Sequence, residues 1–160
     1  EYLMPATFLS KLDLPNLEHF ILIGSNFSSL PDNFLPTSVN LLQLDLSCNY
    51  LTTLPNNFDT FNNLKYLYLS GNMIRALPPT LIPSLPNLLH LEVAKFLFFP
   101  YINFSKHIFH RTSDGSKYYG LESFNSTHLT NAKGLLALNL NGNKVGNLDK
   151  EMFKLTPMLK

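Results

Sequence analysis

This 160-residue chain has little charge: 14% of its residues are Asp, Glu, Lys or Arg, and 12 basic residues nearly balance 11 acidic ones. The basic residues are scattered, so there is no stripe suited to nucleic acid or to an anionic membrane. With 45% hydrophobic residues, low charge implies a globular rather than a disordered chain. Long apolar runs are missing too. The longest, around Phe96–Pro100, falls far short of the roughly 20 residues that span a bilayer, so direct membrane insertion by this segment is not expected. There is no signal peptide, and the chain starts at Glu1 rather than Met. Either a leader has been removed or this is an excised piece. The single cysteine, Cys48, says little about redox compartment. It reads as a partly buried, inert thiol at a strand end where a small residue fits. A reactive thiol, or one paired outside this chain, is the alternative reading. No P-loop, dinucleotide fingerprint, zinc pattern or nucleophile motif occurs. Nothing in the sequence supports catalysis, and no cofactor is expected.

What is present is repetition. Leu41–Pro55 reads LLQLDLSCNYLTTLP, with Leu41, Leu44, Leu46 and Leu51 at apolar places and Asn49 at a polar one. Leu64–Pro78 carries Leu64, Leu67, Leu69, Asn72 and Ile74 in the same places, and Leu135–Leu148 carries Leu135, Leu138, Leu140, Asn143 and Val145. Leu17–Pro31 and Leu88–Tyr101 are degenerate copies. The starts at 17, 41, 64, 88 and 135 give steps of 24, 23, 24 and 47. The last step reads as two periods, with one irregular copy between them. Self-similarity at a fixed period of about 20–29 residues with this pattern is the signature of a leucine-rich repeat solenoid.

The geometry follows from the period. A short strand exposes alternate residues, so Leu44 and Leu46 share one face and Asp45 takes the other. Successive strands are parallel and pair sideways at about 4.8 Å. The return segments hold Pro55, Pro78, Pro79, Pro83 and Pro86, a density that rules out long helices. They are expected to be extended or short 3-10 pieces, with Phe58, Phe61, Leu81 and Leu85 pointing in. Such segments need more room than strands, so the sheet becomes the concave side. The fold class expected is therefore an α/β-type solenoid, mostly β: a curved array with a parallel sheet on the concave face and irregular or 3-10 segments on the convex face. Residues 1–160 would form one domain of about six to seven repeats, truncated at both ends, with an irregular repeat or insertion at about 96–134. Asn49, Asn72 and Asn143 have a structural task in this scheme. Each side-chain amide both donates and accepts, and so satisfies turn backbone groups buried between repeats. Ser25 replaces this asparagine in the first repeat and Phe96 in the fourth.

Residues 103–134 carry no clean copy. A strand near Ile108–Arg111 and a projecting loop around 112–116 are expected, with Leu121, Phe124 and Leu129 serving the outer half of that repeat. Leu97 and Phe99 would point outward. Either the irregular segment folds over them, or they form a second interaction patch with Tyr118 and Tyr119.

Candidate functional residues are the outward ones on the strands. One column is His19, Gln43, Tyr66, His90 and Ala137. The next is Ile21, Asp45, Tyr68, Glu92 and Asn139. A third is Ile23, Ser47, Ser70, Ala94 and Asn141. Tyrosine on a rigid sheet offers contact area and a hydroxyl at little entropic cost. The partner-binding set is therefore His19, Ile21, Gln43, Asp45, Tyr66, Tyr68, His90, Glu92 and Asn139. The competing reading is a solvated face whose cross-strand pairs merely stabilise the array. Three sequons, at Asn26, Asn103 and Asn125, are glycosylation candidates if the chain is secreted. His107 and His110 have HxxH spacing, but on a strand they point to opposite faces and no further ligand is placed beside them, so no metal is expected.

The chain resembles the leucine-rich repeat superfamily, specifically in 17–101 and 135–148. The 23–24-residue unit, with Leu-Pro after the strand and Phe34 and Phe58 ahead of the next one, is similar to the typical subclass. That subclass dominates animal extracellular proteins such as Toll-like receptors and adhesion proteins. The resemblance implies non-catalytic recognition of a protein ligand or co-receptor, at the cell surface or in extracellular fluid. It implies no nucleic acid, and is compatible with an oligomer. The alternatives are a cytoplasmic scaffold of the Leu-Pro-rich kind, or the targeting domain of a larger enzyme. Neither end carries the cysteine cluster with which extracellular arrays close, so the natural protein is expected to continue in both directions.

Overall fold

The computed structural model describes residues 6–94 and 120–160. Five three-residue strands form one parallel sheet in chain order: β1 (His19–Ile21), β2 (Gln43–Asp45), β3 (Tyr66–Tyr68), β4 (His90–Glu92) and β5 (Ala137–Asn139). The register is constant. Phe20, Leu44, Leu67, Leu91 and Leu138 face one another in a single row. Parallel neighbours need a crossover between them. Here each crossover is the return half of a repeat, so the chain winds as a solenoid.

The core is the interior of that winding. Leu41, Leu44, Leu46, Leu64, Leu67 and Leu69 are all at most 1% exposed. Burying each such side chain stabilises by about 1.5–3 kcal/mol. The equivalent Leu17, Phe20 and Leu22 of β1 are only half-buried, because β1 has a neighbour on one side only. Phe58, Phe61, Leu81 and Leu85 are buried from the convex side. Phe20, Phe34, Phe61 and Phe58 run through the core edge-to-face, with centroids 5.6–6.1 Å apart. The returns contain 3-10 turns at Phe58–Thr60, Ser126–Leu129 and Lys150–Leu155. Asp149 caps the last by accepting from the Glu151 amide at 2.8 Å.

The asparagines stitch repeat to repeat. Asn49 Oδ1 accepts from the amides of Ser25 and Phe27 at 3.1 Å each, and its Nδ2 donates to Leu22 O at 2.7 Å and Leu46 O at 2.9 Å. Asn72 repeats the pattern one step on, accepting from Leu51 N and donating to Leu46 O and Leu69 O. A second asparagine series lies one residue ahead of the first leucine in four repeats, with Gly134 in that place before Leu135. Asn40 Nδ2 donates to Pro15 O, Asn63 to Val39 O and Asn87 to Asn62 O. Its periodicity stands in the sequence (Asn16, Asn40, Asn63, Asn87), but its polar type at an exposed place gives no hint of the bond it makes.

The 47-residue step has its own solution. β4 pairs directly with β5, so no strand of the described sheet lies between them. The register shows why. Leu121 stands where Leu51 and Ile74 stand, since Asn143 Oδ1 accepts from Leu121 N at 2.8 Å as Asn72 Oδ1 does from Leu51 N. Ile74 precedes the next first leucine by 14 residues, and so does Leu121. From Leu64 to Ile74 is 10 residues, whereas from Leu88 to Leu121 is 33. The step is therefore one repeat carrying 23 extra residues, a number that happens to equal a repeat period. Spacing alone could not distinguish that from two repeats. Leu121, Phe124 and Leu129 are buried, at most 4% exposed, in the outer half of this repeat. The expected strand near Ile108–Arg111 and the loop at 112–116 lie outside the described residues.

Candidate functional site

The outward residues of the five strands form two columns, as alternation requires, and the third column runs just past the strand ends, where Ser70 and Ala94 are buried. The first column is held by contacts between neighbours. His19 Nδ1 lies 3.3 Å from Gln43 Oε1, and Tyr66 and His90 stack with centroids 5.1 Å apart and planes 27° apart. In the second column, the register sets Tyr68 of β3 between Asp45 of β2 and Glu92 of β4. Asp45 Oδ1 accepts from Ser47 N at 2.9 Å, and Asn139 Oδ1 does the same from Asn141 N at 3.1 Å. Glu92 Oε1 accepts from Ser70 Oγ at 2.8 Å, while Ser70 Oγ accepts from Ala94 N at 3.0 Å. Buried Ser70 therefore orients Glu92, a role that a serine in the third column does not announce in sequence. Burial raises the Tyr68 phenol above its ordinary range, and Glu92, Asp45 and Tyr66 add to the shift in that order.

Exposure differs along the sheet. Gln43, Asp45, Tyr66, Tyr68, His90, Glu92 and Asn139 are half-buried, while His19 and Ile21 at the β1 edge are exposed, Ile21 to 58%. All nine candidate contact residues thus lie on one open face. The second candidate patch (Leu97, Phe99, Tyr118 and Tyr119) lies outside the described residues, as do Asn103, His107 and His110. Of the sequons, Asn26 and Asn125 are exposed. Asn125 Oδ1 accepts from the amide and hydroxyl of Thr127, capping a 3-10 turn.

Cys48 sits at the position one residue ahead of the asparagine ladder. Gly24, Gly71 and Gly142 occupy the same position, and all four have positive φ, +58° for Cys48 and +63° to +73° for the glycines. The turn that ends each strand needs a left-handed residue there. Burial, and then the Asp45 carboxylate, push the Cys48 thiol up. Its neutral form is favoured in the fold.

His128 is buried and takes the place that Leu81 holds one repeat earlier. Its Nδ1 accepts from Asn125 N at 3.1 Å, its Nε2 faces Leu77 O at 3.2 Å, and its ring stacks on Phe124. Asn125 Oδ1 also lies 3.0 Å from Nδ1, so contacts at both ring nitrogens hold the imidazole in place. They make His128 part of the frame, pinning residues 120–134 to the preceding return. Among the described residues, no three metal-ligating side chains come together, and no helix is long and apolar enough to cross a membrane.

The comparisons agree with this architecture. Residues 15–74 match the leucine rich repeat family. A leucine-rich repeat protein of Leptospira interrogans superposes with a TM-score of 0.69 at 27% identity, over 92% of this chain and 31% of that one. Drosophila Toll, solved in complex with Spatzle, gives 0.61 at 24% identity over 84% of this chain and 16% of its own. TLR13, solved with ssRNA13, gives 0.62 at 24% over 91% of this chain and 22% of its own. The last two likenesses bear on fold alone. The chain thus spans about a third or less of each of these structures. No curated protein sequence matches it significantly. The repeating asparagine bonds, the five-stranded parallel sheet, the matched residues 15–74 and the Leptospira likeness together support a place for the chain in the leucine-rich repeat superfamily.

Proposed function

We propose that this chain is the recognition module of an extracellular leucine-rich repeat protein, a receptor ectodomain or a secreted immune or adhesion protein. It binds a protein partner, a ligand or co-receptor, through the concave sheet face. It performs no chemistry itself. The observation that carries this reading is the row of interlocked aromatic and polar side chains on the face: Tyr66 on His90, and Tyr68 between Asp45 and Glu92. The Tyr66–His90 stack and the bonds on Asp45 and Glu92 hold those side chains before any partner arrives, so little of their rotamer entropy is lost on binding. Solenoids use such extended faces for protein recognition.

Of the two receptor neighbours, Toll is seen with a protein, Spatzle, and TLR13 with an RNA. For this chain the face favours protein. The fifteen positions of the three columns hold two carboxylates, Asp45 and Glu92, and no lysine or arginine, which would repel a phosphate backbone. Exposure of Asn26 and Asn125 supports an extracellular location. So does the typical-subclass repeat.

The test is the Tyr68→Ala variant. Partner affinity should fall about ten-fold or more, as for a hot-spot tyrosine, while the thermal midpoint stays within a few degrees. Unchanged affinity would argue against a concave binding centre. Expression through a secretory pathway tests the location. Glycan at Asn26 or Asn125, read by mass spectrometry, supports it, and three unmodified sequons would weaken it badly.

A further inference from the structure

Resting on that concave-face reading, we infer that the face around Tyr68 selects a protein segment presenting an arginine or lysine side chain, which lies on the Tyr68 ring between Asp45 and Glu92. Asp45, Tyr68 and Glu92 occupy one register row on adjacent strands. Strand spacing of about 4.8 Å puts the backbones bearing the two carboxylates roughly 10 Å apart, with the phenol ring between them. One oxygen of each carboxylate is tied down, Asp45 Oδ1 by Ser47 N and Glu92 Oε1 by Ser70 Oγ. The second oxygens, Asp45 Oδ2 and Glu92 Oε2, make no hydrogen bond within the described residues. Neither acid has a cationic partner there. The ion pairs among those residues are Arg75–Glu122 and Lys154–Glu151, both away from this face.

The face therefore carries two formal negative charges, while the whole chain has a net charge of +1. The raised pKa of Tyr68 reports the same negative potential, after the effect of burial. Two fixed carboxylates flanking an aromatic ring suit a cation that lies over the ring and reaches a carboxylate at its edge. A planar guanidinium does both, with bidentate geometry to the acid, and a lysine ammonium does so as a point charge. Ile21, exposed beside Asp45 at the β1 end of the same row, offers an apolar contact for the neighbouring partner residue.

The experiment pans a phage-displayed library of random 12-residue peptides on the intact chain, then measures synthetic copies of the selected peptides by calorimetry. The variant Asp45→Asn/Glu92→Gln removes the charge and keeps the oxygens that accept from Ser47 and Ser70, so the fold should persist with an unchanged thermal midpoint. The inference expects selected peptides enriched in arginine and lysine. Their affinity should fall about ten-fold or more in this variant, and fall again when salt is raised from about 0.05 to 0.5 M. Peptides that are lost on Tyr66→Ala/Tyr68→Ala, but are not basic and bind Asp45→Asn/Glu92→Gln as tightly as wild type, would overturn this inference and leave the concave site standing. Peptides indifferent to both variants, or no peptide at all, would count against both. Self-association of the chain that the charge variant abolishes would make a second copy the occupant, and would also overturn it.

Discussion

At the scale of single residues, the frame is set by a few positions with unusual backbone or unusual bonding. Cys48 is the clearest case. It adopts φ +58° where the other described repeats have glycine, and a non-glycine residue there costs about 1–2 kcal/mol. Cys48→Gly should therefore leave stability unchanged or raise it by up to about 1 kcal/mol, since relief of strain is offset by added unfolded-state entropy. Gly71→Ala should do the opposite. Its φ is +72°, and a Cβ there would meet Cys48 Sγ at 3.2 Å and the Cys48 backbone at 3.3 Å. A loss of about 1–3 kcal/mol is expected in urea unfolding. Equal stability of Gly71→Ala and wild type would refute this account of the turn. The ladder asparagines were legible in sequence, because an amide that must donate and accept is the residue such a turn needs. The handedness at Cys48 was not. One cysteine among three glycines reads as a small residue, and nothing in its side chain reveals a positive φ.

At the scale of elements, strands and returns follow from pattern, since inward leucines recur at fixed places and proline forbids long helices. The fourth repeat is where pattern misleads. Its 23 extra residues match a repeat period, so only the pairing of β4 with β5 reveals an insertion. The two sides of that insertion are clamped by one side chain. Asn143 Nδ2 donates to Val93 O at 2.6 Å ahead of it, and Asn143 Oδ1 accepts from Leu121 N at 2.8 Å behind it. Lys144 N donates to Leu121 O at 2.8 Å beside that clamp. Repeat 3 joins the corresponding places, Ser70 and Met73, through Gly71-Asn72 alone. Replacing residues 95–119 by Gly-Asn should therefore give a regular repeat that folds cooperatively, with a thermal midpoint at or above that of the intact chain. The new asparagine would stand at the ladder position that Phe96 holds in the sequence. Failure of this shortened chain to fold would show that residues 95–119 are integral to the array.

At the scale of the whole molecule, the repeats turn sequence periodicity into a surface. Constant register brings residues about 24 positions apart in the chain into adjacent places on one face, which is why the columns could be written from the sequence before any coordinates. What the columns do to one another was not legible. The Tyr66–His90 stack and the pinning of Glu92 by Ser70 depend on side-chain directions that spacing does not fix. Those contacts turn a row of polar residues into a preordered face. The central claim is that this face, rather than the convex returns, meets the partner. Its most direct test is a capture experiment from extracellular fluid and from cell lysate, comparing the wild-type chain with Tyr66→Ala/Tyr68→Ala and identifying captured proteins by mass spectrometry. The account predicts a partner taken from extracellular fluid by the wild type and lost by the variant, with both chains showing the same circular dichroism. Retention of every partner by a folded variant would contradict it.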